Sequence, residues 1–458
     1  MDLSKKNSLF ILSFIALLVT GYCFWLTFPF RGGVAPDSMA YLSITHHLHA
    51  GQGVSVWMRL FSYTSDPIAI WPPALPFLWA CLYALGIAPL EAGWLLNLCL
   101  LSANLIFIGF LIYRFAFSLW MALIGITLVF ISTDWREYHL WLLSEPLFIW
   151  ASLLHIFFLY KWLREKNIVA GVAAILCCAC IPFIRYPGMI FIPAAALAIL
   201  IFDESRWRRR LGKAIGFALL SSLPLMAWLV RNYVKLRWQY PPGTRLSELI
   251  FGSLIKEEAH ANSLAFNFVS SWQALWYWFH DLTTRTYWDG AVFGVGLVAC
   301  GWFVSRGKVF LKDKFMGITF LYILLNGAFI FLSMVFCRFS GVVPERYYVL
   351  VFTLMVILGM GVLSDLCCVL KQRMGRRFIF VGSGLLLVFG IWVFLKAFSF
   401  YAWAQEVRIK GVDRSNGMRY QRALTEPWFP DASTAALGKY DSMLKGQPVP
   451  LSAHKDSA

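Results

Sequence analysis

The sequence has little charge for its length. Only 14% of its 458 residues are Asp, Glu, Lys or Arg, whereas about a quarter of the residues in soluble domains are charged. Apolar residues make up 59% of the chain, and the mean hydropathy is +0.66. Several apolar runs reach the length of about 20 residues that a helix needs to cross a bilayer. The composition therefore excludes an ordinary soluble domain and predicts an all-α polytopic membrane protein.

The sequence also lacks a disulfide framework and a clear metal-binding motif. Its ten cysteines fall almost entirely within or beside apolar runs, where a free cysteine acts as a small hydrophobic residue. Cys177, Cys178 and Cys180 are as crowded as metal ligands, but no second pair of cysteines lies near them, and no Asp-x-Asp motif occurs. We therefore predict neither a metal centre nor a cofactor, while a divalent ion that assists a substrate stays open.

Basic residues outnumber acidic ones, and the formal net charge is +16. Much of this charge lies in short turns between apolar runs, where it sets the orientation of the helices in the membrane. The same turns can attract anionic lipid headgroups. This distribution indicates membrane lipids as partners and argues against a nucleic acid.

Apolar runs that end at charged turns predict about eleven spanning helices. They lie near 9–30, 91–113, 115–132, 139–160, 168–184, 188–202, 212–230, 290–305, 315–337, 347–369 and 378–400. The first run is too long for the apolar part of a signal peptide and has no small-x-small cleavage site, so we expect an uncleaved helix. The segment Trp71–Gly86 opens with two prolines and is too short to cross, so it predicts a juxtamembrane helix.

The basic turns predict which side of the membrane each loop occupies. If the N terminus with Lys5 and Lys6 is cytoplasmic, every short basic turn falls on the cytoplasmic side. Residues 1–400 then form the transmembrane domain, with a short extracytoplasmic tail at 401–458 and outer loops at 31–90 and 231–289. These outer segments contain no Asn-x-Ser/Thr acceptor, which favours a bacterial inner membrane over a secretory-pathway membrane.

Charged side chains gather at the outer ends of the predicted helices. Asp37 follows the first helix, and Glu145 lies in the outer part of the fourth. The others are Arg185 with Tyr186, Arg231 with Asn232, and Glu345 with Arg346. Ionisable residues near membrane depth are costly and usually mark function. Their convergence predicts a polar site at the mouth of a cavity in the membrane.

Each of these residues also has a purely structural explanation. Asp37 follows Pro36, and an acid in a first helical turn interacts favourably with the helix dipole. Arginines at helix ends commonly reach toward lipid headgroups. The stripe of Tyr41, Ile44 and Leu48 predicts an amphipathic helix lying in the membrane interface. Three histidines follow on this helix, but no third metal ligand is evident for the pair that could share a face.

The order of the motifs resembles the GT-C superfamily of membrane glycosyltransferases. Within it, the likeness is to the bacterial branch related to protein O-mannosyltransferases, aminoarabinose transferases and RgtA/B/C/D-like lipopolysaccharide enzymes. The matching motifs are Asp37–Tyr41, Gly51–Gly53, Trp71–Pro73 with Pro76, Ser144–Pro146, Arg185–Gly188 and Arg346–Tyr347. The likeness is strongest over residues 30–200.

The resemblance implies an inverting transfer of a sugar from a polyprenyl-phosphate donor to an extracytoplasmic glycan, lipid or protein acceptor. Asp37 matches the first-loop acid of the family and would be the general base. The residues implied to hold the lipid phosphate are Arg346, Arg185, Arg231 and Tyr347. Those implied to position the acceptor or the sugar are Glu145, Asp66 and Tyr41.

Two other classes of membrane protein remain. A transporter or flippase would place polar residues near the midplane, with broken helices and repeated halves. An O-antigen polymerase or ligase would depend on arginines in the late outer loop. Because charge lies at the helix ends, no internal repeat is visible and the acid comes early, the sequence favours the transferase.

Reporter fusions test the predicted topology. A reporter fused after Lys371 should be cytoplasmic, because the turn that follows is basic. A reporter fused after Tyr401 should be extracytoplasmic, since one more span separates the two positions. Alkaline phosphatase and green fluorescent protein fusions measure this directly. A cytoplasmic reporter after Tyr401 would contradict the topology.

Overall fold

Helices dominate the computed structural model, which describes residues 5–28, 31–57, 65–67, 71–116, 118–236, 313–336, 345–374 and 404–405. The helices are α1 Lys5–Thr27, α2 Pro36–His49, α3 Ala74–Ala84, α4 Pro89–Ala116, α5 Leu119–Ile131, α6 Thr133–Leu140, α7 Glu145–Glu165, α8 Ile168–Ile184, α9 Phe191–Phe202, α10 Trp207–Leu236, α11 Lys314–Phe336 and α12 Glu345–Met374. A 3₁₀ turn at Tyr186–Ile190 precedes α9. Strands β1 Ser55–Trp57 and β2 Ser65–Pro67 form an antiparallel ribbon.

Six helices of the described part are long and apolar enough to cross a bilayer, namely α1, α4, α7, α10, α11 and α12. Helices α5 and α6 are bent by 71° at a short break and make a seventh crossing if they count as one broken span. Helices α8 and α9 are apolar but shorter. The chain is therefore an integral membrane protein. The predicted spans near 290–305 and 378–400, most of the 231–289 loop and nearly all of the tail lie outside the described residues.

One difference from the predicted helices concerns the start of α7. The sequence predicts a span at 139–160, but α6 ends at Leu140 and α7 begins at Glu145. Pro146 explains the boundary, because proline is favoured in the first turn of a helix and disrupts its interior. Glu145 is consequently the first residue of α7 instead of a residue within a longer helix.

A tight hairpin brings the start of α7 and the end of α8 to the same end of the bundle. Lys166 ends α7 in the left-handed conformation, with φ of 53°. The side chain of Asn167 then caps α8 by accepting hydrogen bonds from the backbone N–H groups of Val169 and Ala170, at 2.9 and 3.3 Å. The hairpin therefore places Glu145 and Arg185 at one end of the bundle, which we call the site end.

Helix α2 packs inside the protein at the site end. The ring of Tyr41 meets Trp79 of α3 edge-on at 6.1 Å, and the Thr45 hydroxyl reaches the carbonyl of Pro76 at 3.3 Å. Tyr41 and Ile44 of the predicted apolar stripe are buried and Leu48 is partly buried, but the polar side chains of Ser38, Ser43, Thr45 and His47 are buried as well. This helix is therefore more completely covered than an amphipathic interfacial helix, because α3 and the ribbon pack against it.

The segment before α2 is joined to the segment before α7 by backbone hydrogen bonds. Gly33 donates to the carbonyl of Leu140 at 3.0 Å and accepts from the N–H of Leu142 at 2.8 Å. A side chain at Gly33 would meet the ring of Trp141 at 3.0 Å, so only glycine permits this close approach. The bonds hold the loops that carry Asp37 and Glu145 together.

We predict that Gly93→Ala destabilises the protein, because its methyl group would lie 2.8 Å from the fully buried ring of Trp79. Overpacking of this kind typically costs about 1–3 kcal/mol. Gly216→Ala is the matched control, since nothing lies within 4 Å of its added methyl group. Thermal melting in detergent should show a lower midpoint for the first variant only. Equal midpoints would contradict the tight packing of α3 on α4.

Candidate functional site

Four charged side chains from four helix ends meet at the site end. The Arg346 Nη1 atom lies 2.8 Å from Asp37 Oδ2, and its Nε atom donates to Glu145 Oε1 at 2.6 Å. Arg185 Nη1 forms an ion pair with the same oxygen of Glu145. One guanidinium thus bridges two carboxylates, and a second guanidinium supports the inner one. We call these four residues the carboxylate–arginine cluster.

Local helix geometry explains why the carboxylates sit where they do. Asp37 lies in the first turn of α2, and Glu145 is the first residue of α7. Both carboxylates lie near the positive end of a helix dipole, which stabilises negative charge. Arg346 also lies in a first turn, that of α12, where the dipole disfavours a cation. The two carboxylates are the partners that offset this unfavourable position.

Burial falls from the inner carboxylate to the outer one. The side chain of Glu145 is 2% exposed, whereas that of Asp37 is 32% exposed and can meet a solvent-borne or lipid-borne ligand. Arg346 precedes the apolar part of α12, which begins at Tyr348. Burial alone would lower the pKa of its guanidinium, but Glu145 and Asp37 outweigh burial and raise that pKa. The guanidinium of Arg346 therefore keeps its positive charge between the two carboxylates.

Trp71 supplies the second contact to Asp37. Its indole N–H donates to Asp37 Oδ1 at 3.3 Å, while Arg346 occupies Oδ2. Because Pro72 follows, the backbone of Trp71 is restricted to extended conformations, which helps to fix the ring. The motif Trp71–Pro73 marks this residue in the sequence, but its contact with Asp37 is visible only in the structure.

Tyr41 lies behind the cluster. Its hydroxyl and that of Ser144 are 3.2 Å apart, so it joins α2 to the residue just before Glu145. Burial raises the pKa of Tyr41 well above its ordinary value, so the side chain stays protonated. With a residue exposure of 3%, Tyr41 positions its neighbours more readily than it reaches a ligand.

Two asparagines of α4 hold the segment that leads into α7. Asn97 donates to the carbonyls of Trp141 and Leu143 at 2.5 and 3.3 Å, and Asn104 donates to that of Pro146 at 3.0 Å. His139 donates from Nδ1 to the Trp135 carbonyl, which leaves Nε2 to accept from Asn104 at 2.9 Å. Sequence reasoning missed these residues, although an asparagine within an apolar span is itself a signal.

Arg231 lies in a neighbouring group and is not part of the carboxylate–arginine cluster. Its guanidinium stacks on Trp228 at 4.8 Å and donates to Asn232 Oδ1 at 2.9 Å and to the Val54 carbonyl at 3.4 Å. Trp228 in turn donates to the hydroxyl of Tyr186 at 3.0 Å. Among the side chains that the structure describes, no carboxylate forms an ion pair with Arg231. Its positive charge is therefore not matched there.

Two of the residues predicted for the site are placed by their backbone alone. Asp66 lies on β2 opposite Val56, and this ribbon packs against α10, the helix of Arg231. Tyr347 follows Arg346 in the first turn of α12. That their side chains contact a substrate stays a prediction.

Within the described ranges, no three His, Cys, Asp or Glu side chains are grouped so that they could hold a metal ion. His49 stacks on Tyr83 at 4.0 Å, and its neighbour His47 is buried. The histidines of α2 therefore contribute to the packing of the first loop.

Solved structures share the architecture of this chain. ArnT from Cupriavidus metallidurans bound to undecaprenyl phosphate matches with a TM-score of 0.51 and 14% identity, over 97% of this chain and 76% of that one. The apo structure of the same protein matches with a TM-score of 0.51, 15% identity and the same coverage. No protein-family model and no curated protein matches the sequence. The likeness shows the fold that these structures share, and membership of the GT-C superfamily or of its bacterial branch stays a prediction.

We predict that Arg346→Met destabilises the protein, because it leaves Asp37 without its cation and Glu145 with only one. Removing one partner from a buried ionic group costs about 3–5 kcal/mol. Lys161→Met is the control, since its pair with Glu165 is exposed and such pairs contribute about 0–1 kcal/mol. Melting in detergent should separate the two variants clearly. An equal loss would mean that the bridge by Arg346 is not a stabilising feature.

Proposed function

We propose that this chain is an inverting glycosyltransferase of the membrane. It takes a sugar from a polyprenyl-phosphate donor and transfers it to an extracytoplasmic glycan, lipid or protein acceptor. The observation that carries the proposal is the part-exposed Asp37, fixed by Arg346 and Trp71 at one end of a GT-C-type fold. A bacterial inner membrane with the N terminus inside and the site outside is part of the proposal.

In this mechanism Asp37 is the general base. An acceptor hydroxyl attacks the anomeric carbon, and its proton passes to a carboxylate oxygen of Asp37. The bond from the anomeric carbon to the phosphate oxygen breaks on the opposite side of the sugar, and the lipid phosphate leaves with the electron pair. Two different donors hold the two oxygens of Asp37, which keeps the carboxylate oriented for the proton.

The phosphate of the donor requires positive charge that the protein has not already neutralised. Arg346 and Arg185 are matched by two carboxylates, whereas none of the described carboxylate side chains pairs with Arg231. Arg231 is thus the best placed of the three to bind phosphate, and Arg346, Arg185 and Tyr347 would line the path toward Asp37. ArnT, which binds undecaprenyl phosphate, has the same fold and supports this donor class.

A buried polar pair deep in α7 and α11 bears on the transporter alternative. His155 Nε2 lies 2.6 Å from the hydroxyl of Tyr322, and its Nδ1 lies 3.0 Å from the carbonyl of Ala174. Both ring nitrogens therefore have partners from the protein itself. The pair acts as an interhelical contact and does not favour a transport site.

The Asp37→Asn variant tests the proposal, because an amide keeps the shape of the side chain but cannot accept the proton. Transfer from labelled undecaprenyl-phosphate sugars in membranes should fall by about 10²–10⁴-fold. Trp71→Phe, which removes the indole N–H but keeps an aromatic ring, should lower kcat by less than Asp37→Asn does.

Glu91→Gln provides the control for these variants. It removes one acid at the same end of the bundle, in a partly exposed pair with Arg31, and should transfer sugar at the wild-type rate. If folded Asp37→Asn also transfers at that rate, Asp37 is not the base.

A further inference from the structure

Glu145 has one oxygen that accepts from two cations and one to which no described residue donates. Oε1 is contacted by both Arg346 and Arg185. Oε2 is buried, and no described residue donates a hydrogen bond to it. Buried carboxylate oxygens are rarely left in this state, because the lost hydration is not replaced. An oxygen in this state can accept a hydrogen bond from a ligand that reaches it.

We infer that Oε2 of Glu145 accepts a hydrogen bond from a hydroxyl group of the sugar that is transferred. The inference rests on the proposed function and names the part of the substrate that Oε2 of Glu145 binds. Glu145 and Asp37 are bonded to the same guanidinium, so a ligand at Oε2 lies beside the general base. The hydroxyl therefore belongs to the sugar that holds the reacting carbon.

The charge of the cluster indicates which group of a lipid-linked sugar donates to Oε2. Two carboxylates and two guanidiniums balance formally in the carboxylate–arginine cluster, so it has no excess positive charge for a phosphate. A phosphate oxygen would also repel Oε2 directly. An ammonium group could donate to Oε2, but it would bring an unmatched positive charge into a place where Glu145 is 2% exposed. A neutral hydroxyl donates without adding charge.

Analogues in which fluorine replaces one hydroxyl test this inference, because fluorine accepts weakly but cannot donate. The probes are undecaprenyl-phosphate hexoses and pentoses and their monodeoxyfluoro and monoamino analogues, with dissociation constants measured on the purified full chain. For wild type, one fluoro analogue should bind about 10- to 150-fold more weakly than its parent, as expected for a hydrogen bond to a charged group. Binding is measured because fluorine can slow transfer for electronic reasons.

Glu145→Gln is the test variant. Its amide oxygen can still accept from the arginines, which turns the NH₂ group toward the ligand, so the acceptor at the position of Oε2 is lost. The ratio between the fluoro analogue and its parent should then fall to roughly 3-fold or less. Glu91→Gln carries the same chemical change outside the site and should keep the wild-type ratio.

A variant that conserves the charge covers the case in which Glu145→Gln does not fold. Glu145→Asp keeps a carboxylate for the two guanidiniums but withdraws it by one methylene, so it should also lose the discrimination. No discrimination in wild type, or discrimination unchanged in the Glu145 variants, overturns the inference. A preference of wild type for an amino analogue over its hydroxyl parent overturns it as well.

The same experiment separates this inference from the proposed function. If wild type discriminates as expected but transfers sugar to no acceptor, the hydroxyl subsite stands and the transferase activity fails. If wild type transfers sugar but binds all fluoro analogues like their parents, the activity stands and the subsite is wrong. If wild type binds no lipid-linked sugar, the subsite and the donor class fail together.

Discussion

The bridge that Arg346 forms between Asp37 and Glu145 is the interaction on which the site depends. It joins the start of α12 to the starts of α2 and α7, which the backbone bonds of Gly33 and the contact between Tyr41 and Ser144 hold together. Each of these charges would be costly in a partly dry environment without the others. The opposite charges of the four side chains thus stabilise one another. Because these charges balance, the cluster has no excess charge with which to bind a charged ligand. The Oε2 atom of Glu145, to which no described residue donates, is suited to a hydrogen-bond donor.

Two groups of residues at the site end differ in net charge. The carboxylate–arginine cluster is balanced and mostly buried, whereas Arg231 sits on Trp228 with only neutral acceptors around it in the described part. In a lipid-linked sugar, the neutral sugar and the charged phosphate are adjacent but chemically unlike. Two neighbouring groups of residues, one balanced and one cationic, match that difference. This match supports the proposal of a lipid-linked sugar donor.

Much of the site could be predicted from the sequence, because charge at helix ends is conspicuous in an apolar chain. Asp37, Glu145, Arg185 and Arg346 were expected at one side of the membrane, and the structure brings them into contact. Which arginine pairs with which acid could not be predicted, since that depends on the packing of helices distant in the sequence. The burial of α2 was underestimated for the same reason, because its polar residues are covered by α3 and the ribbon. The support from Asn97 and Asn104 depends on carbonyl positions that no local pattern reveals.

The spacing of the cluster along the chain has a consequence for biosynthesis. Glu145 and Arg185 lie at the two ends of a tight hairpin, so they can pair as soon as that hairpin has inserted. Arg346 comes 201 residues after Glu145 and can arrive only when most of the chain has been made. Until then Asp37 lacks its cation, and the first loop has no electrostatic tie to the late helices. The site is therefore complete only when the helix that carries Arg346 has packed against the helices that carry Asp37 and Glu145.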